Sequence, residues 1–154
     1  HGVDNGVGDN FTIVPAESAD EAILAMRNQQ TVVSRGPYIH ATINDEWAPG
    51  NTYTGSQDLL VEVHAPDWVD LVELEVWENE QLVQTLPITE TQSGLRLSEF
   101  IDLDPIEDSH YIIMVHGGEE MPEPYSGRPW AMAAAILIDV NGDGWEPIKS
   151  AVLE

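Results

Sequence analysis

The residues Asp139-Val140-Asn141-Gly142-Asp143-Gly144 place oxygen-bearing side chains at alternate positions and close on a glycine. Hard cations want several oxygen ligands, and glycine permits the sharp turn that gathers them, so this is the first half of a calcium loop. A full EF-hand carries a bidentate Glu at the twelfth position of its loop. Here that position is Ser150, and no helical pattern flanks the loop. Glu146 is the residue placed to close a smaller site, so the candidate ligands for Ca2+ are Asp139, Asn141, Asp143 and Glu146. The same residues also describe an Asx-rich turn between two strands, with Gly142 and Gly144 supplying positive φ.

Other chemistry-bearing residues are scattered. The histidines are His1, His40, His64, His110 and His116, and no two stand at a helical ligand spacing. His116-Gly117-Gly118-Glu119-Glu120 sets an imidazole beside two carboxylates on a free backbone. A strand end running into a solvated acidic loop has the same composition. No serine stands in a nucleophile elbow, and no phosphate-cradling glycine loop is present. Trp47, Trp68 and Trp145 sit beside turns, which suits a carbohydrate-binding face or the caps of a sandwich; Trp77 and Trp130 complete the set.

The elements that must carry these residues follow from periodicity. A strand is expected at Phe11 to Val14, then a capping box at Ser18-Ala19-Asp20-Glu21 that opens a helix to about Gln29. That helix is expected to turn Ala22, Ile23 and Met26 toward apolar surface. From Thr31 the period becomes two. Strands are expected at Thr31 to Ser34, Tyr38 to Ile43, Leu59 to Val63, Val72 to Trp77, Leu82 to Leu86, Leu95 to Leu103, His110 to Val115, Ala131 to Ile138 and Ile148 to Leu153. Glu78-Asn79-Glu80 reads as a hairpin turn. Ala131 to Ile138 has almost no polar residue, as befits a central strand covered on both faces. The fold class expected is mainly β, an antiparallel Ig-like β-sandwich with one N-terminal helix. The helix chemistry gives way to strand chemistry near Arg35-Gly36-Pro37. Residues 1–36 therefore read as a loop, strand and helix, and residues 37–154 as the sandwich.

Composition narrows the function. With 28 acidic and 5 basic residues among 154, the net charge is −23. Nucleic-acid binding is excluded in practice, because phosphate contacts need Lys and Arg. Docking on an anionic membrane is disfavoured for the same reason. Such charge suits a calcium-rich or saline exterior, resistance to aggregation, or several cation sites; an extracellular or periplasmic location is expected. There are no cysteines, so disulfide and thiolate chemistry are absent. The chain begins with His rather than Met and shows no signal peptide, the pattern expected of a processed or excised product.

Three segments together resemble one family. They are Ser18 to Pro37 (SADEAILAMRNQQTVVSRGP), Asp67 to Val83 (DWVDLVELEVWENEQLV) and Arg128 to Gly144 (RPWAMAAAILIDVNGDG). In this order they resemble the end of the barrel, a sandwich hairpin and the last strand of carbaryl-hydrolase-like (CehA/McbA-type) metallohydrolases. That family belongs to the polymerase-and-histidinol-phosphatase (PHP) superfamily. The chain departs from its pattern with Asn79-Glu80 at the hairpin, where Asn-Gly is usual, and with Ala133-Ala134-Ala135, where Thr-Asn-Pro is usual. The resemblance implies an upstream β/α barrel of the same polypeptide whose divalent transition metal activates water for hydrolysis. It also implies that His1 is a last ligand of that metal, with Phe11 to Gln30 closing the barrel. One histidine cannot hold a catalytic ion, so this chain alone is expected to be inactive.

Three functions are compatible with these readings. The first is the accessory C-terminal β-sandwich of a secreted PHP-type metal-dependent hydrolase, stabilised by Ca2+ and packed on the barrel. The second is a non-catalytic extracellular structural, adhesive or filament-forming subunit that self-associates through its strand edges. The third takes His1 as a mature N-terminus that offers its α-amine and imidazole to copper, with His64 or His116 adding a nitrogen.

Overall fold

A computed structural model describes residues 10–147 as two β-sheets packed face to face, with one helix at the border. Strand β1 (Phe11–Ile13) leads to helix α1 (Ala19–Arg27). The helix starts where the sequence places its cap: the Ser18 hydroxyl accepts the Glu21 N–H, and the Glu21 carboxylate accepts the Ser18 N–H. Its packing differs from expectation. Ala25 is the residue buried, while Ile23, Leu24 and Met26 are 46, 57 and 51% exposed. The helix buries this one small side chain and leaves its larger apolar residues at the surface.

The larger sheet contains β1, β2 (Val32–Arg35), β5 (Thr52–Thr54), β7 (Glu73–Glu78), β8 (Gln81–Pro87), β10 (Ser109–His116), β11 (Trp130–Ala133) and β12 (Ile136–Asp139). β10 is its centre. It pairs with β7 on one side, and with β11 and β12 in succession on the other. The long apolar run expected as one strand is thus interrupted at Ala134-Ala135. There the Ala134 N–H turns to Thr31 and the Ala135 carbonyl turns to Gly50. β2 covers β11, and β5 covers β12 in a parallel pair. β1 and β2, from the segment before Gly36, are therefore strands of this sheet.

The smaller sheet has the order β4 (Glu46–Trp47), β3 (Tyr38–Ile43), β6 (Gln57–Ala65), β9 (Gly94–Leu103). The fold is the expected antiparallel β-sandwich with a single helix. Its core lies between the sheets: Ile39, Leu59, Val61 and Val63 face Leu74, Ile113, Val115, Ile136 and Ile138, all fully buried. The alternation of β6 and β10 between buried and half-buried residues is the two-residue period of a strand with one face on the core.

Two hairpins use non-glycine residues in left-handed conformations. Asn79 (φ 47°) and Glu80 (φ 69°) join β7 to β8, and Asn44 (φ 52°) and Asp45 (φ 65°) join β3 to β4. Two consecutive positive φ values match the turn twist to the strand twist, which is why Asn leads each pair. The Asn79 side chain is fixed as well, accepting the His110 N–H and donating to Ser109.

Among the described residues no helix is long and apolar enough to cross a membrane. The strand expected at Ile148 to Leu153 lies outside the described residues.

Candidate cation site

β12 delivers Asp139 to the end of the larger sheet, and its side chain, 5% exposed, organises the loop that follows. Its Oδ1 accepts the Gly142 N–H at 2.7 Å and its Oδ2 accepts the Gly144 N–H at 2.8 Å. Both glycines have positive φ, 78° and 111°, the backbone conformation needed to aim two amides at one carboxylate. Asn141 does the same on a smaller scale, accepting the Asp143 N–H at 3.0 Å. These bonds form the Asx-rich turn that the sequence describes.

A second carboxylate arrives from a different part of the chain. Asp108, in the loop between β9 and β10, accepts the Val140 N–H at 3.0 Å and the Glu146 N–H at 2.8 Å. It therefore clasps the calcium-like loop at both ends. Trp145 locks the same junction by donating its indole N–H to the Ser109 carbonyl at 3.1 Å. Ligand oxygens of Asp108, Asp139 and Asp143 all lie within 4.8 Å of one another. Asp108 and Asp143 border an open cleft of about 650 Å3 that Ile106, Asn141, Glu146 and Pro147 also line.

Of the candidate ligands, Asp139 and Asp143 are brought together. Asn141 spends one oxygen lone pair within the turn. Glu146 presents its backbone to Asp108, and its side chain stands outside the trio. Asp108 was not singled out from the sequence, since Glu107-Asp108 is one acidic pair among many. His1 lies outside the described residues.

Three carboxylates are a hard, oxygen-only donor set of the type Ca2+ takes, and each carboxylate keeps lone pairs beyond those the amides use. Thiolate and imidazole donors, which suit softer transition metals, are missing from this cluster. Elsewhere among the described residues no other trio of His, Asp or Glu comes within ligand distance. His40 pairs with Glu62 at 3.2 Å and His116 with Glu75 at 3.1 Å, while His64 packs on the Tyr38 ring. The His116-Gly117-Gly118 segment is a packing feature: a Cβ on Gly117 would lie 2.2 Å from Pro129 Cγ. The tryptophans likewise serve separate places. Trp47 packs on the core, and Trp68 stacks on Tyr125 at 5.1 Å in exposed loops.

Fold and site thus define a mainly β sandwich with an acidic, carboxylate-clasped loop at one end. Comparison of the chain with family models, curated proteins and solved structures finds no match.

Proposed function

We propose that this chain is a non-catalytic accessory β-sandwich, the C-terminal domain of a secreted PHP-type metal-dependent hydrolase, with Ca2+ at the acidic loop. The observation that carries the accessory role is the outer face of the larger sheet. Ile112 and Met114 of β10 alternate with buried Tyr111, Ile113 and Val115, so they point away from the core. Register sets Trp77 beside Ile112 and Met132 beside Met114. Together with His110 and Glu80 they line an apolar hollow of about 310 Å3. An antiparallel sheet with one solvated face normally carries polar residues there. An apolar patch on that face, bounded by the His116–Glu75 pair, fits a surface that a companion domain covers.

Ca2+ held by Asp108, Asp139 and Asp143 would neutralise their mutual repulsion and tie the loop before β10 to the loop after β12. It would supply rigidity rather than chemistry. The hydrolytic metal belongs, on this reading, to the upstream barrel that the sequence resemblance implies.

The test is to read what the intact gene product carries immediately before His1, from its coding sequence and the mass of the native protein. A His- and Asp-rich barrel upstream, with metal-dependent esterase activity in the intact product and none in this chain, is the expected result. A signal peptide ending at His1 overturns the reading.

A further inference from the structure

We propose that Asn141-Gly142 is a site of spontaneous deamidation, held shut in the folded chain by the Asp139 carboxylate. The chemistry needs only the chain and water. The Gly142 backbone nitrogen attacks the Asn141 side-chain carbon Cγ and gives up its proton. The bond from Cγ to Nδ2 breaks, the amide leaves with a proton as ammonia, and a five-membered succinimide remains. Water then opens the ring at one carbonyl or the other, leaving aspartate or isoaspartate at position 141. Glycine after asparagine favours the attack, because no Cβ shields the nitrogen. Asn-Gly occurs at Asn5 and at Asn141, and Asn5 lies outside the described residues.

The folded loop treats the two reacting groups in opposite ways. Asn141 is exposed, so water reaches it. Its Oδ1 accepts the Asp143 N–H at 3.0 Å, and a donor on that oxygen stabilises the negative charge it gains as Cγ is attacked. The electrophile is therefore primed. The nucleophile is restrained, because the Gly142 N–H donates to Asp139 Oδ1 at 2.7 Å. Asp139 is 5% exposed and its other oxygen takes the Gly144 N–H at 2.8 Å, so the carboxylate is pinned from both ends. Attack must break a hydrogen bond to a charged acceptor. The same carboxylate opposes the negative charge that builds on the nitrogen as its proton leaves. A restraint of this kind slows the step about 10–100-fold.

Either product changes the acidic loop for good. Aspartate at position 141 adds a carboxylate to a loop that already carries Asp139 and Asp143. Isoaspartate lengthens the backbone between those two residues by a carbon, which displaces Asp143 from the oxygens of Asp108 and Asp139 that it now meets. A loop that opens for long enough is thereby marked permanently.

The experiment incubates the chain at mildly alkaline pH, folded in buffer and unfolded in guanidinium chloride, and follows Asn141 by peptide mapping with mass spectrometry. Conversion in the folded chain is expected to be about 10–100-fold slower than in the unfolded one. Asp139→Ala with a native far-UV spectrum should lose most of that protection. Trp145→Phe frees the end of the loop from the Ser109 carbonyl but leaves Asp139 on Gly142, and it should stay slow. If Asp139→Ala fails to fold, deuterium exchange of the Gly142 amide in the wild-type chain reports the same bond, and protection is expected there. Equal conversion in the folded and unfolded chains overturns the proposal. So does a Gly142 amide that exchanges at the unfolded rate, or an Asp139→Ala chain that folds yet stays slow. Equal acceleration by Trp145→Phe overturns Asp139 as the guard, because any loosening of the loop would then suffice.

Discussion

Asp108 and Asp139 bring carboxylate oxygens within 4.8 Å of each other across the end of the larger sheet, each already accepting two backbone N–H groups. Two such carboxylates with Asp143 beside them repel unless a cation intervenes. Ca2+ is therefore expected to raise the melting temperature. At a hundredfold excess over the dissociation constant, stabilisation is about 2.7 kcal/mol. For a domain of this size that is roughly 5–10 °C. Asp108→Asn and Asp139→Asn should each abolish the shift, and Glu146→Gln should preserve it. Calorimetry with and without Ca2+ decides; a wild-type curve indifferent to Ca2+ leaves the loop as an Asx turn only.

Arg96 is one of five basic residues in the chain and is 4% exposed. Its guanidinium donates to carbonyl oxygens of Glu90, Pro66, Thr91, Gln92 and Val69 at 2.6–3.1 Å. A single planar fork thereby closes the loop after β6 and the loop before β9. Lysine has one nitrogen and cannot reach all of these oxygens. Arg96→Lys and Arg96→Met are each expected to cost about 2–4 kcal/mol, since the buried Val69 carbonyl and four part-buried ones lose their donors. Urea unfolding measures this directly, and an unchanged midpoint would sink it.

Gly50 joins the end of α1 to the sandwich. A Cβ there would lie 2.6 Å from the Gln29 carbonyl, and its φ of +80° is already unfavourable for other residues. Gln30 donates to Asn51 at 3.0 Å across the same junction. Gly50→Ala is expected to destabilise by about 2–4 kcal/mol. Hydrogen exchange should then show α1 losing protection together with β5. If α1 alone loosens, the helix is not coupled to the sheet.

Local pattern made much of this fold legible, and long-range pairing hid the rest. The capping box at Ser18 and the alternation in β6 and β7 depend on neighbours in sequence, so both could be read from the chain. The hairpin at Asn79-Glu80 could be read too, because Asn tolerates positive φ. The helix face could not: which side of α1 is buried depends on how Gln29 and Gln30, just past its end, dock on Gly50 and Asn51, far along the chain. Asp108 was hidden for a similar reason. Nothing local separates it from the other acidic residues, and only the pairing of β10 with β12 carries it to Asp139. The break at Ala134-Ala135 follows from two different neighbours, β2 and β5, competing for one apolar run.

Tyr111 gives the alkaline limit of stability. It is 3% exposed, and burial first, then the Glu78 carboxylate, push its hydroxyl well above the ordinary 10.0 of a tyrosine. Tyr38 and Tyr53 are raised as well, again by burial first. A phenol whose folded pKa is raised favours the neutral form. Its contribution is complete below the unfolded value and is lost as pH climbs from there through the folded value. The melting temperature should therefore begin to fall near about pH 10 and keep falling above it. Tyr111→Phe should cost about 1 kcal/mol at neutral pH for the lost hydrogen bond from its hydroxyl to the Glu78 carboxylate, yet flatten the alkaline decline, since phenylalanine has no proton to lose. Thermal melts of both proteins from about pH 8 to pH 11 separate the two effects. Parallel curves would show that the decline belongs to other groups.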